Sequence, residues 1–553
     1  MQVKNLIGLG LVGSWFQTVV AGEPAQVEIR PNIILILADD MGYSDIGCFG
    51  SEIETPNLDR LAKEGLRMTN MHNAARSCPS RASLLTGLYP HQAGVGDMLQ
   101  NDQLPGYQNK LNRNCVTLAE VLSQAGYHCM ISGKWHVGGE SDAWPMKRGF
   151  HKQYLSNNTT GHYFGIAKGR DYLVEDTLRE VPGEWIKAGR TEYKLLKNED
   201  GSQWYKTDAI TERAIKYIQE LRRNDRQKPF FLYLAYTAPH WPLHAFEEDI
   251  RRYQGKYMEG WDQLREERYR SMIEMGIIHP DWNLSGRNPN AKDWNALPDS
   301  TKQYYDRLMA VYAAMIDRMD QNIGRLLASL EESGDKDNTL IIFLSDNGGC
   351  HEPVHRGLPG ALSGTPDSFD GYEYSWANAS NTPLSWFKHW THEGGSSTPF
   401  IAWYPRLIKA GRMDHRLAHI IDIMPTFVEI SGAIYPEIYN GNMITPMEGK
   451  SLIPIFSNIP RQLHDILCWE HQGNRAARKG DWKIVSRFDP KLKTELPWEL
   501  YEMKSDRPET NDLTLKYPKK VAELEQIYRK WAERVNVVEY SNILNKRQQK
   551  NNK

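Results

Sequence analysis

Two acidic pairs in this chain sit just beyond apolar runs of strand length. Asp39-Asp40 follow residues 33–38 (IILILA), and Asp346-Asn347 follow residues 340–344 (LIIFL) with one serine between. Three carboxylates and an amide oxygen form a hard-oxygen donor set, suited to Ca2+ or Mg2+ rather than zinc. Either pair alone is an ordinary cap of a helix or turn; their joint position is what suggests a metal. A third stretch reads Ser77-Cys78-Pro79-Ser80-Arg81. Pro79 suits the first turn of a helix, and Gly87 suits the residue after its end. That helix would hold Ser77 at its N-terminus, where unpaired N–H groups favour an anion. Basic residues lie elsewhere: Lys134 and His136 in GKWHVG, His240 after Thr237-Ala238-Pro239, and Lys388 shortly before Glu393-Gly394-Gly395. If GKWHVG is extended, Lys134 and His136 share a face.

These residues need a scaffold that brings distant segments together. The runs 33–38, 230–236 and 340–344 are continuously apolar, as strands buried on both faces are. Helical patterns at 57–65, 118–126, 207–222 and 304–330 lie among them. Strands alternating with helices predict an α/β layered domain with a largely parallel sheet, whose ligand crevice lies at the carboxyl ends of the strands. Residues 253–276 read as a charged, aromatic, solvated helical insertion, and 353–387 as a long loop. Beyond about residue 430 short strands (466–470, 482–487, 500–501) and a helix (517–535) predict a smaller antiparallel-sheet-plus-helix subdomain. The expected divisions are 1–21, 25–430, 431–544 and a disordered polar tail, 545–553.

The stretch from Ser77 to Leu85-Thr86-Gly87 resembles the signature of the formylglycine-dependent (type I) sulfatases: Cys or Ser, any residue, Pro, Ser or Ala, Arg, three free positions, Leu-Thr-Gly. Only Ser77 has Pro at +2 and Arg at +4, so the resemblance is to the Ser-type variant, with Cys78 at the free position. The other blocks occur in the family's order between residues 39 and 395. The resemblance implies an alkaline-phosphatase-like fold and hydrolysis of a sulfate monoester. Ser77 would be oxidised to formylglycine by a maturase, and its gem-diol would attack sulfur. It further implies one Ca2+ held by Asp39, Asp40, Asp346, Asn347 and the modified Ser77, with Arg81 on the formylglycine hydroxyl. Lys134 and Lys388 would contact sulfate, His240 would protonate the leaving oxygen, and His136 would help eliminate sulfate. A sulfate-binding hydroxyl is expected within residues 156–160. A phosphomonoester or phosphonate hydrolase of the same superfamily, and an unmodified sulfated-glycan-binding protein, remain alternatives.

Met1–Ala21 reads as a signal peptide: Lys4, an apolar run, then Val19-Val20-Ala21. No later run is long and apolar enough for a membrane span, which predicts export to the periplasm or beyond, with no membrane anchor once the leader is cleaved. Lys plus Arg number 67 against 69 Asp plus Glu, so no overall field of one sign points to nucleic acid. The six cysteines form no CxxC pair, so they either pair or stay buried and free. The expected substrate is a carbohydrate O-sulfate, with 3-sulfated galactose one candidate. Trp390, His471, Asn474 and Arg475 are the expected sugar contacts.

Overall fold

Apolar runs make buried strands because a strand covered on both faces has no polar side. The computed structural model describes residues 30–551, apart from 99, 157–160, 169–172, 176, 179–183, 189–190 and 463. The expected leader, and residues 157–160 of the segment expected to carry the hydroxyl, lie outside the described residues.

The principal strands are β1 (Asn32–Asp39), β2 (Leu66–His72), β3 (His128–Lys134), β4 (Lys152–Ser156), β5 (Phe230–Pro239), β6 (Thr339–Ser345) and β7 (Ser397–Trp403). They belong to one mixed sheet in the order β2-β7-β6-β1-β5-β3-β4, extended at both edges by short strands. From β6 to β4 neighbouring strands are parallel, and β7 runs antiparallel to β6 and β2. The sheet is therefore α/β and mixed, and the central parallel strands release their chains at one edge.

Alternation along β1 divides the core. Ile34, Ile36 and Ala38 pack on one face with the helix Asp299–Ser333, whereas Ile33, Leu35 and Leu37 pack on the other with residues of the helix Ser77–Thr86. The second core also takes in Ile444, Leu452, Ile455 and Phe456. The large domain's packing thus runs past the expected division at 430/431, and the small antiparallel sheet begins at Ile466. Its strands are β8 (Ile466–His471), β9 (Asn474–Lys479), β10 (Trp482–Ser486) and β11 (Glu499–Glu502), covered by the helix Pro518–Arg534.

Three expectations change. The insertion is solvated on one face only. Its helix Gly260–Glu274 buries Trp261, Leu264, Arg268 and Met272, and Arg268 pairs with Asp45 and Glu52 behind the first acidic pair. The segment 353–387 contains the helix Glu373–Ser380 and is tied by His355 to Asp370 and Glu373. The tail is helical to Asn551, because Ile543 is buried and Arg547 finds two acidic partners, Asp97 and Asp102. All six cysteines are free and buried.

One sharp bend positions Lys388. Glu393 is completely buried and accepts hydrogen bonds from His72 Nε2, Lys483 Nζ, Arg507 Nε and Ser397 Oγ. Its neighbours Gly394 and Gly395 let the preceding loop fold back upon them. A Cβ on Gly394 would overlap the Trp386 carbonyl, and one on Gly395 the Trp390 carbonyl. The block Glu-Gly-Gly is thus an anchor followed by two positions with no room for a side chain, and the loop it supports carries Lys388 to the strand ends. Gly395→Ala should lower the free energy of unfolding by about 1–3 kcal/mol, the usual scale of overpacking. It should also reduce turnover well beyond the loss of folded protein. Denaturant unfolding reads the first effect and turnover per folded molecule the second; earlier unfolding with normal turnover would disconnect this bend from Lys388.

Candidate active site

The carboxyl ends of four adjacent parallel strands converge. β1 supplies Asp39 and then Asp40, β6 leads into Asp346 and Asn347, β5 into His240, and β3 ends on Lys134. The helix Ser77–Thr86 meets them with its first residue, and all ten of its residues are buried. Its end is set by Gly87 in the left-handed region, φ 70°. Its first turn starts at Ser77 and includes Pro79.

Ser77 Oγ lies 3.2 Å from Asp39 Oδ1 and 3.1 Å from Asn347 Oδ1. Asn347 Nδ2 donates to Asp40 Oδ1 at 2.7 Å, and the Asp40 N–H donates to Asp346 Oδ1 at 3.2 Å. The five expected ligands therefore form one buried cluster. Three cations face it. Arg81 donates to Asp346 Oδ2 at 2.8 and 3.1 Å, Lys134 pairs with Asp39, and Lys388 Nζ donates to Asp40 Oδ2 at 2.6 Å. His240 Nε2 lies 3.2 Å from Asp40 Oδ2 and 3.3 Å from Lys388 Nζ. Its Nδ1 faces the Trp241 carbonyl at 2.6 Å, which fixes the ring with Nε2 turned inward.

Burial raises all three carboxyls, but their neighbours differ. Lys134 and Arg81 outweigh burial at Asp39, and His240 and Lys388 do so at Asp40, so both sit below the ordinary carboxylate range. Asp346 ends above it, through burial and the neighbouring Asp39 charge. Packed carboxylates with that much residual repulsion suit a hard cation. Asp39, Asp40 and His240 also offer ligand atoms within 4.8 Å of one another. Oxygens outnumber that single nitrogen around Ser77, so the cluster fits Ca2+ better than zinc.

His136 does not continue β3. The strand stops at Lys134 and His136 takes φ 61°, so the extended reading of GKWHVG fails. Lys134 nonetheless reaches the cluster, and burial with the charges of Lys134 and Arg81 holds the His136 imidazole well below its ordinary pKa. Neither ring nitrogen has a hydrogen-bond partner among the described residues. Asp40, Ala75 and His389 likewise have positive φ (68°, 59° and 91°), so left-handed non-glycine backbone gathers around Ser77. His244 is structural, held by the Ser368 carbonyl at 2.8 Å.

Exposure rises toward a mouth on one side. Ser77, Lys388 and His240 are buried, whereas the side chains of Arg76 and Glu352 are 15% and 25% exposed. Arg76 donates to Glu352 Oε1, and Trp241 Nε1 to Glu352 Oε2, each at 2.9 Å. The sequence reading missed this trio; Arg76 adjoins the signature, but only the fold brings Glu352 to it. Of the expected sugar contacts, Trp390 packs on His351 and His389, and His471 packs against His389 with ring centres 5.4 Å apart. Asn474 Nδ2 lies 3.1 Å from His389 Nε2. Arg475 is a correction: as the next residue of β9 it faces the other way, pairs with Glu495 at 2.9 Å and lies on the Trp498 ring.

The sulfatase family model matches residues 31–433. An uncharacterized sulfatase of Schizosaccharomyces pombe is 35% identical over 90% of this chain and 92% of its own length. The arylsulfatase of Klebsiella aerogenes is 34% identical over 78% of this chain and 94% of its own. Among solved structures, Ps i-CgsB in complex with k-i-k-neocarrahexaose is 26% identical, covers 91% of this chain and 93% of its own, and has a TM-score of 0.63. With the matched region spanning the strand ends that hold Ser77 and the acidic pairs, the chain belongs to the sulfatase family, enzymes that hydrolyse sulfuric esters.

Proposed function

We propose that the protein removes sulfate from a carbohydrate O-sulfate, using Ser77 after its conversion to formylglycine and one bound Ca2+. The observation that carries the reading is the convergence of Ser77 Oγ with Asp39 and Asn347 beneath Lys134, Lys388 and Arg81, all buried. Hydrated formylglycine would supply two hydroxyls on one carbon, one to attack sulfur and one whose deprotonation expels sulfate, where serine has a single, weakly nucleophilic hydroxyl. Ca2+, held by Asp39, Asp40, Asp346, Asn347 and residue 77, supplies positive charge for the sulfuryl oxygens.

The chain's own residues do the rest. Lys134 and Lys388 hold sulfate oxygens from buried positions, where each charge counts for more. Arg81 orients residue 77. His240 delivers a proton to the leaving oxygen at Nε2, the nitrogen its Trp241 contact turns inward. Burial pulls the His240 pKa down against the opposing pull of Asp40, so the ring takes up that proton as the anionic ester arrives. His136, with unpartnered ring nitrogens, accepts the proton released when sulfate departs. Arg76, Glu352, Trp241 and Trp390 offer donors, an acceptor and aromatic faces, which suits the hydroxyls and apolar face of a sugar. The oligosaccharide bound by Ps i-CgsB supports a carbohydrate, and 3-sulfated galactose heads the sugars to be tested. Export through the leader 1–21 and maturation by a formylglycine-generating enzyme belong to the same proposal. No helix among the described residues is long and apolar enough to cross a membrane.

The peptide containing residue 77 should be lighter by the two hydrogens that oxidation removes. Ser77→Ala should reduce turnover by more than about 10³-fold, and Cys78→Ser should leave it nearly unchanged. Equal losses would move the nucleophile off Ser77; an unconverted Ser77 in a protein that binds sulfated glycans without cleaving them would make it a binder.

Purified protein should carry one Ca2+ per chain, and Asp39→Asn with Asp346→Asn should carry none. Elemental analysis reads this directly. Two ions per chain would favour a phosphatase.

His240→Ala should slow a sulfated sugar by about 10²–10⁴-fold and a nitrophenyl sulfate far less, because nitrophenolate leaves without a proton. Equal losses on both substrates, with the fold intact by circular dichroism, would make His240 a sulfate holder instead of a proton donor.

A further inference from the structure

The C-terminal helix Tyr540–Asn551 reaches across the molecule to the loop that follows the signature helix. Arg547 Nε donates to Asp102 Oδ1 at 2.9 Å and its NH2 to Asp102 Oδ2 at 2.6 Å, a two-pronged pair, and the same guanidinium also meets Asp97. Lys546 Nζ caps the Asp102 carbonyl at 2.6 Å. Both aspartates are buried, at 4% and 7% exposure, so neither charge is free to be solvated when its partner is lost. Asp97 is also the junction with the small sheet: Gln472, in the turn between β8 and β9, donates to its Oδ1 at 2.6 Å. Tyr107, at the far end of the loop, is locked to Val538 by hydrogen bonds in both directions.

The residue after Asp97 carries the effect inward. The Met98 N–H donates to Asp97 Oδ1 at 2.7 Å, and Met98 Sδ accepts from Arg76 Nε at 3.3 Å. Arg76 immediately precedes Ser77 and directs its NH2 to Glu352 at the mouth. The chain of contacts is therefore Arg547, Asp97 and Asp102, Met98, Arg76, then Glu352. It ends at the partly exposed Arg76–Glu352 pair and makes no hydrogen bond to Lys134 or Lys388.

We propose that Arg547 is a positioning residue for substrate selection: by clamping Asp97 and Asp102 it holds Met98 against Arg76, and so sets the orientation of the Arg76–Glu352 pair that meets the sugar. This rests on the sulfatase reading above and adds that the last helix shapes the leaving-group side of the site. The residue acts on affinity for the sugar more than on the chemical step, because its chain of contacts ends on the Glu352 carboxylate, which is near enough to Lys388 and His240 to feel their charge but is hydrogen-bonded to Arg76 and Trp241 instead.

The test uses the full-length, converted enzyme and the sulfated sugar that the wild type turns over best. Arg547→Ala should raise KM for that sugar about tenfold, the scale of a lost charge-assisted contact, with kcat within about twofold. Inorganic sulfate as competing inhibitor reports the other half of the site, and its inhibition constant should stay within about twofold. Asp102→Asn, a gentler change should Arg547→Ala fail to fold, should shift KM in the same direction, and Arg547→Lys should recover part of the loss. A rise in the sulfate inhibition constant matching that in KM, a fall in kcat alone, or no change in any constant would each overturn the proposal. A wild type that converts Ser77 yet cleaves no sulfate ester would instead overturn the sulfatase reading, so the two failures are separable.

Discussion

Asp39, Asp40 and Asp346 are buried side by side, and the charge of Arg81, Lys134 and Lys388 is what holds them there. A lone buried carboxylate costs several kcal/mol, and removing one partner of a buried pair costs about 3–5 kcal/mol because the other is left uncompensated. The three cations come from three places: the signature helix, the end of β3 and the loop before Glu393. None of the three can shift independently. The same arrangement that stabilises the carboxylates places cations where a sulfate group would need them, so the fold and the chemistry draw on one set of charges.

Glu393 repeats the pattern at the junction with the small sheet. Its donors include Lys483 from β10 and Arg507 from the segment after β11, and Lys483 also pairs with Glu509. The small sheet is therefore part of the support of the loop that carries Lys388. A chain ending at the boundary of the large domain would lack the cations that keep Glu393 charged and in place, and burial alone would push its carboxyl toward neutrality.

Much of the centre was legible in the sequence because its signals are local. Continuous apolar runs gave β1, β5 and β6, residues directly beyond them gave the acidic pairs and His240, and Pro79 with Gly87 gave the signature helix. The rest depends on contacts across long distances. β2 and β7 carry Arg67, Asn70, Ser397 and Thr398, which hide the strand pattern although both strands pair within the sheet. The insertion 253–276 looked solvated because Arg268 reads as a surface residue until Asp45 and Glu52 are placed beside it. Alternation put Lys134 and His136 on one face, and the turn at His136 broke the alternation. Asn474 and Arg475 are neighbours in sequence and opposite in space. The tail is polar enough to suggest disorder, and burial of Ile543 together with acidic partners more than four hundred residues earlier makes it a helix with a definite seat.

Ser77 is 1% exposed, and its helix is buried along its whole length. No second protein can grip that segment in the folded state, because reaching the serine would mean extracting a helix from the core. Under the function proposed above, oxidation of Ser77 would have to come first in time, on an extended chain, and folding would then seal the result. On that proposal, a molecule that folds with its serine untouched would have missed its opportunity and would stay inert. The active fraction of a preparation would then record a race between two early events, and would not be improved afterwards without unfolding the protein.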